Sequence, residues 1–480
     1  MINSTASLAS HGGLVKIKRS EVEVLEDNPF KNDELGRQES SNVLTQFVKS
    51  STEPLVLCID APWGQGKTTF LRMWEQQLKN ENIPTIYFNA WENDFTDDAL
   101  ISLLGEISSS IESISKAEQK DKVKEYLDKT KKLGVSLLKR SVPVAAKIAT
   151  AGALDLDKVT EQALASFAES VAKEQLDRYE QSKATIVSFR TALADLASNI
   201  SSQTDKKPLV FIIDELDRCR PNFSIEILEK AKHFFSVENI IFVLGADKDQ
   251  LGHSIKSVYG DGIDVHGYLR RFIDVDYVLP TPNKGLYAKA LFNKHGFNEY
   301  FKTKTGSETK YEREQALVMF TELFEIYNLS LREQGHCCSL LSISIKTSTN
   351  EESLYPLFLC FLIVLKIKKP IEYKNFINER LTPEDLLTLL KSNELGVNLL
   401  STNYGMSLEA YLICCKSFSH DTHEINAKYE LIKTDLDSSA EEKKRAGDLI
   451  KRIDYFEWNG GVGILRETIS KIEIASRFSG

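Results

Sequence analysis

Gly64, Gly66, Lys67 and Thr68 lie together between an apolar run, Leu55 to Ile59, and a segment with helical spacing (Phe70, Met73, Trp74, Leu78). The glycines let successive backbone N–H groups turn toward one centre, the lysine adds a mobile positive charge, and the threonine hydroxyl is a hard oxygen donor. Placed between a strand and a helix, that set makes a phosphate-binding loop. Pro62, Trp63, Gly64, Gln65, Gly66, Lys67, Thr68 and Thr69 are the expected binding surface for the phosphates of a nucleoside triphosphate. Lys67 should reach the β- and γ-phosphates, and Thr68 should ligate Mg²⁺. Ala61 stands where such loops usually begin with glycine, so the chain must enter with an ordinary negative φ.

The second requirement is acid. Pro208-Leu-Val-Phe-Ile-Ile runs into Asp214 and Glu215. A carboxylate at the end of a buried strand holds the nucleotide's magnesium, usually through water, so Asp214 is the second metal residue with Thr68. Glu215 is placed to orient and deprotonate an attacking water. A further strand, Ile240 to Ala246, ends at Asp247, which could sense the γ-phosphate or cap the helix that follows; the two readings stand level. That tip reads Asp247-Lys248-Asp249-Gln250, without the Asn-Lys-x-Asp that reads guanine, so ATP is the expected nucleotide. Arg270 and Arg271 precede a last strand, Phe272 to Leu279. Structural ion pairing is the favoured reading for them, over an arginine finger for a neighbouring subunit.

These residues need positioning elements. Asp33 to Lys49 and Glu92 to Ile111 have helical apolar spacing, and Pro84 to Trp91 reads as a second buried strand. From Ser113 to Lys207 strand signals vanish and helical periodicity takes over, with faces at Leu156 to Val171 and Ile186 to Ile200. Lysines crowd its first part (Lys116, Lys120, Lys122, Lys124, Lys129, Lys131, Lys132), offset by acids, which favours a solvated face over a nucleic-acid patch. Beyond Pro282 the chain reads helical: Leu286 to Phe292, Tyr311 to Tyr327, Ser330 to Leu341, Tyr355 to Lys366, Pro383 to Leu390, Tyr411 to Phe418 and Asp437 to Phe456. His420-Asp-Thr-His423 reads as a solvated loop, not a metal site.

Composition sets bounds. With 480 residues, 42% hydrophobic and 27% charged, the chain is an ordinary multidomain globular protein. A net charge of -9 excludes a protein that is basic throughout. Seven cysteines without Cys-x-x-Cys spacing suit free thiols in a reducing cytosol. Met1 to Lys16 lacks an apolar segment, so no secretory signal is expected. Val142 to Leu156 and Leu354 to Ile367 fall short of the ~20 residues a membrane span needs and read as buried helices.

Ala61-Pro-Trp-Gly-Gln-Gly-Lys-Thr, Tyr87-Phe-Asn-Ala-Trp91, Asp214-Glu-Leu-Asp-Arg-Cys219 and Tyr268-Leu-Arg-Arg-Phe-Ile together resemble the KAP family of P-loop NTPases. Leu329-Ser-Leu-Arg332-Glu is similar to the family's Leu-Ser-x-Arg segment, which implies that Arg332 acts as a second sensor. The resemblance implies an α/β fold: a P-loop NTPase parallel sheet of the additional-strand, acid-base type, with the strand before Asp247 inserted between the phosphate-loop and acidic strands. It also implies a long helical insertion, which carries transmembrane helices in many members but not here. Characterised relatives include a phage-exclusion protein and a neuronal scaffold, so the resemblance points to assembly or defence.

The resulting expectation is a tail to residue 27, an NTPase domain over 28–282 with its insertion at 113–207, and a helical region over 283–480. The activity expected is Mg²⁺-dependent ATP hydrolysis in the cytoplasm, without a membrane. Lys67, Glu215, Asp247 and Arg332 would carry catalysis, and hydrolysis would switch an assembly with a protein partner encoded nearby, plausibly in antiphage defence. Homo-oligomerisation stays open. So do two rivals, a nucleic-acid-stimulated motor and a scaffold that holds ATP without hydrolysing it.

Overall fold

The computed structural model describes residues 15–17, 22–51, 53–96, 99–114, 120–140, 183–201, 207–231, 236–303, 311–348, 354–414, 422–458 and 461–478. The chain divides into two compact units. One comprises Glu23–Asp33 and Arg37–Thr281; the other comprises Met1–Val22, Glu34–Gly36 and Pro282–Gly480.

The first unit is built on a five-stranded sheet. Strands β1 (Leu55–Asp60), β2 (Thr85–Asn89), β3 (Leu209–Asp214), β4 (Ile240–Ala246) and β5 (Val275–Val278) lie in the order β2-β3-β4-β1-β5, and every pairing is parallel. β4 therefore sits between the phosphate-loop and acidic strands, as the resemblance implies. Parallel strands are covered on both faces, which is why β2, β3 and β4 are buried at every residue and why Leu209 to Ile213 and Ile240 to Leu244 read as unbroken apolar runs. β5 is the exception. It is an edge strand, largely exposed and shorter than the expected Phe272 to Leu279.

On one face, Cys58, Phe88, Phe211 and Leu244 pack with Leu103 of α3 (Ala99–Ile114) and with Leu196 of the helix over 183–201. Each such apolar side chain contributes about 1.5–3 kcal/mol by leaving water. Near the phosphate loop, α1 (Gln38–Ser50) packs on α2 (Lys67–Asn80). Trp74 Nε1 donates to Thr45 Oγ1 at 3.0 Å, and Ser41 Oγ donates to Gln77 Oε1 at 2.6 Å.

Two helices start later than their periodicity predicts. α1 begins at Gln38, because the Asp33 carboxylate accepts the N–H groups of Arg37 (2.5 Å) and Gln38 (3.1 Å) before the first turn. α3 begins at Ala99 and not Glu92, because Asn89 Oδ1 accepts from the N–H groups of Trp91 and Glu92 and bends the chain. Phe95, expected on the buried face, is 81% exposed as a result.

In the insertion, the helix Lys120–Arg140 buries Val123 and Leu127 and exposes Lys124, Lys129 and Lys132, the solvated face expected of it. The faces expected over 142–171 lie outside the described residues. Among the described residues, no helix is long and apolar enough to cross a membrane.

Among its described residues the second unit has helices and no strand. Its core includes Leu357 to Leu365 of the helix Pro356–Lys368, a short apolar run that packs inside the protein. Helices Pro370–Ile377 and Glu394–Ser401 lack a long apolar period and are not evident from sequence. His423 falls in the first turn of the helix Thr422–Thr434, which corrects the loop reading there; His420 lies outside the described residues.

Candidate functional site

The phosphate loop leaves β1 after Asp60 and enters α2 at Lys67. Ala61 is buried, donates its N–H to Ala246 O (3.4 Å) and has no positive φ, the conventional entry an alanine requires. Gly64 and Gly66 adopt φ of 77° and 79°, the left-handed region where a side chain is disfavoured. Pro62 and Trp63 are exposed on the loop, while Gly64, Gln65, Thr68 and Thr69 are half-buried. Lys67 is buried; its Nζ donates to Ala61 O at 2.9 Å and lies 3.9 Å from Asp217 Oδ2.

The acids of β3 face this loop. Asp214 has no exposed surface. Its Oδ2 accepts the Tyr87 hydroxyl at 2.6 Å, and its Oδ1 accepts the Glu215 N–H at 2.8 Å. Burial pushes its carboxyl above the usual range, and the hydrogen bonds from Tyr87, Glu215 and Thr68 oppose that shift. Glu215 sits at φ 60°, a left-handed turn that redirects its side chain to the loop. Its Oε1 accepts the Thr68 hydroxyl (3.1 Å) and pairs with Arg218 (2.5 Å), and its Oε2 accepts from Asn89 (3.3 Å).

Thr68, Asp214 and Glu215 thus form a compact set of hard oxygen donors, the chemistry magnesium prefers. Among the described residues no group of three or more His, Cys, Asp or Glu could hold a metal by itself.

Asp247 does what a cap does: its Oδ1 accepts the N–H of Gln250 (3.2 Å) at the start of the helix Lys248–Tyr259. Its Oδ2 accepts the N–H of Trp63 (2.9 Å), so the same carboxylate also pins the phosphate loop. Arg270 and Arg271 are exposed, and neither makes an ion pair among the described residues. Arg332 lies in the other unit, exposed at the second position of the helix Leu331–Lys346 and between Ser330 and Glu333, the two members of its capping box.

Sequence reasoning gave no role to Tyr87, Asn89, Asp217 or Gly245, which complete this site. Tyr87 and Asn89 share one face of β2 by the period-two alternation, while Ile86 and Phe88 enter the core on the other. Asp217 is buried and accepts from the Trp63 indole Nε1–H. Burial raises its carboxyl too, opposed first by the nearby Lys67.

A loop with two left-handed glycines, a lysine at the helix start and an acid on the strand next but one make a nucleotide site. The sequence matches the profile of the KAP family P-loop domain over residues 37–351, well over half of the chain. The chain belongs to the KAP family of P-loop NTPases. No curated protein matches it. The KAP match covers all five strands and runs on through the helix Leu331–Lys346, so Arg332 falls within the family region.

Proposed function

We propose that this KAP protein binds ATP with Mg²⁺ and hydrolyses it. The observation that carries the reading is the Thr68 Oγ1–Glu215 Oε1 contact of 3.1 Å, which joins the metal-binding hydroxyl of the loop to the acid that follows Asp214. Lys67 and the backbone N–H groups from Gly64 to Lys67 hold the phosphates; Thr68 and Asp214 hold the magnesium. Bound there, Mg²⁺ would offset the charge that develops on the phosphate oxygens. Glu215 orients the attacking water. Asp247 keeps the loop in place, and Arg332, exposed and without an ion pair among the described residues, serves as the second sensor.

Loss of the γ-phosphate then changes the contacts of Lys67 and Arg332 and switches an assembly with a protein partner. Defence against phage is the setting suggested by the family resemblance, and the cytoplasm is the expected location. The test is phosphate release from ATP and from GTP, with and without Mg²⁺, and with DNA or RNA added. Mg²⁺-dependent release from ATP, unchanged by nucleic acid, is expected. ATP that stays intact on long incubation would favour a scaffold, and strong, salt-sensitive stimulation by nucleic acid would favour a motor.

A further inference from the structure

Two acids follow Asp214 within one turn, and their surroundings differ. Glu215 is engaged on both oxygens by Thr68, Arg218 and Asn89. Asp217 is not. Its Oδ2 accepts from the Trp63 indole, and the backbone N–H groups of Asp217 and Asp247 lie near the carboxylate, but its Oδ1 has no donor at full hydrogen-bond geometry among the described residues, although the side chain is only 1% exposed. Leaving a buried acceptor without a donor costs about 1–3 kcal/mol, and more when it is charged. Such an atom, on a carboxylate whose other oxygen lies 3.9 Å from Lys67 Nζ, is open to a donor that arrives with the ligand.

The chemistry of the spot narrows what that is. A phosphate oxygen would meet a carboxylate and be repelled. A second metal ion would sit against the Lys67 ammonium, whose Nζ is 3.9 Å from Asp217 Oδ2. A neutral donor remains, close to where Lys67 would meet the γ-phosphate. Water fits.

We propose that Asp217 Oδ1 holds the attacking water and takes its proton. The water oxygen bonds to the γ-phosphorus, and the bond from that phosphorus to the β–γ bridging oxygen breaks. Its electron pair leaves on the diphosphate, and the water's proton passes to Asp217. Glu215, engaged by three donors, keeps Thr68 and the water's approach in order. This rests on the ATP hydrolysis reading above and moves the proton acceptor from Glu215 to Asp217.

The experiment measures single-turnover hydrolysis and ATP affinity of the full chain with Mg²⁺, for wild type, Asp217→Asn and Asp217→Glu. Asparagine keeps an oxygen for the Trp63 indole and loses only the charge. Asp217→Asn is expected to lower the rate about 100-fold or more, with ATP affinity within about threefold of wild type. Asp217→Glu should recover about tenfold over the asparagine variant. A rate in Asp217→Asn within about threefold of wild type overturns the inference. So does loss of ATP affinity in both variants, which would mean that Asp217 merely holds the loop. Absence of turnover in the wild type would instead sink the hydrolysis reading, and this assignment with it.

Discussion

The Tyr87 hydroxyl donates to Asp214 Oδ2 at 2.6 Å, so β2 holds the acid that β3 presents, the one proposed to bind the metal. Arg72 lies over the Tyr87 ring, 3.4 Å from its centroid, and fixes the ring in turn. Hydrogen bonds to charged groups are worth about 1.5–3 kcal/mol. Tyr87→Phe is therefore expected to raise the Mg²⁺ concentration needed for half-maximal ATP binding by about tenfold. A magnesium titration against a fluorescent ATP analogue checks this; an unchanged midpoint would show that Asp214 is held without Tyr87.

Gly245 of β4 lies against the same acid. A Cβ there would come within 2.6 Å of Asp214 Oδ1 and 2.4 Å of Leu71 Cδ1, both too close. Gly245→Ala should cost about 1–3 kcal/mol of stability, the usual range for overpacking. It should also weaken Mg²⁺-dependent ATP binding, because Asp214 has to move. Urea unfolding with and without Mg²⁺ and ATP measures both effects.

In the proposed function Lys67 supplies the charge that meets the phosphates, and its truncation leaves the buried Asp217 without its neighbouring cation. Lys67→Ala is expected to abolish detectable ATP binding by calorimetry. Glu215→Gln should leave binding intact while stopping turnover, since the change alters the charge that orders Thr68 and the water. Persistent turnover in that variant would exclude Glu215 from the reaction.

The thiols give a prediction about pH. Cys58 on β1 is buried, and burial, with Asp60 and Asp276 nearby, pushes its thiol up to about 12 from an ordinary 9.0. An unfolded thiol ionises above 9.0 while the folded one keeps its proton, so the unfolded state gains as pH rises. Stability should fall between pH 9 and about pH 12, with Cys58 shifting the unfolding equilibrium by about tenfold per pH unit. Native-state labelling at pH 8 should miss Cys58 until urea unfolds the chain. Mass spectrometry of the labelled peptides reads it.

Much of the sheet was legible because burial on both faces removes polar residues from a strand. Leu55 to Ile59, Leu209 to Ile213 and Ile240 to Leu244 stand out for that reason. Strand order is not a local property; the place of β4 between the phosphate-loop and acidic strands came from the family resemblance, and the rest from the folded sheet. β5 is exposed at three of its four residues and so lacks the apolar signal that would have set its ends. The start of α3 was misread because Phe95 fits the helical period, whereas the Asn89 side chain captures the two N–H groups that would have begun that helix. In the helical unit, short helices such as Pro370–Ile377 offer too few turns for a period to emerge.

At the site, the chain alone determined that a phosphate loop exists, since glycine, lysine and threonine act there through backbone freedom, charge and a hydroxyl that belong to the residue types. It also determined that Asp214 ends a buried strand, because the apolar run before it is continuous. Only the tertiary structure decided how the acids are used. Glu215 and Asp217 are two residues apart and chemically alike. Folding gives the first three donors and leaves one oxygen of the second without a donor at full hydrogen-bond geometry among the described residues, buried beside Lys67. Hydrogen-bond supply depends on which strands meet, and β2, β3 and the phosphate loop meet only in the folded sheet.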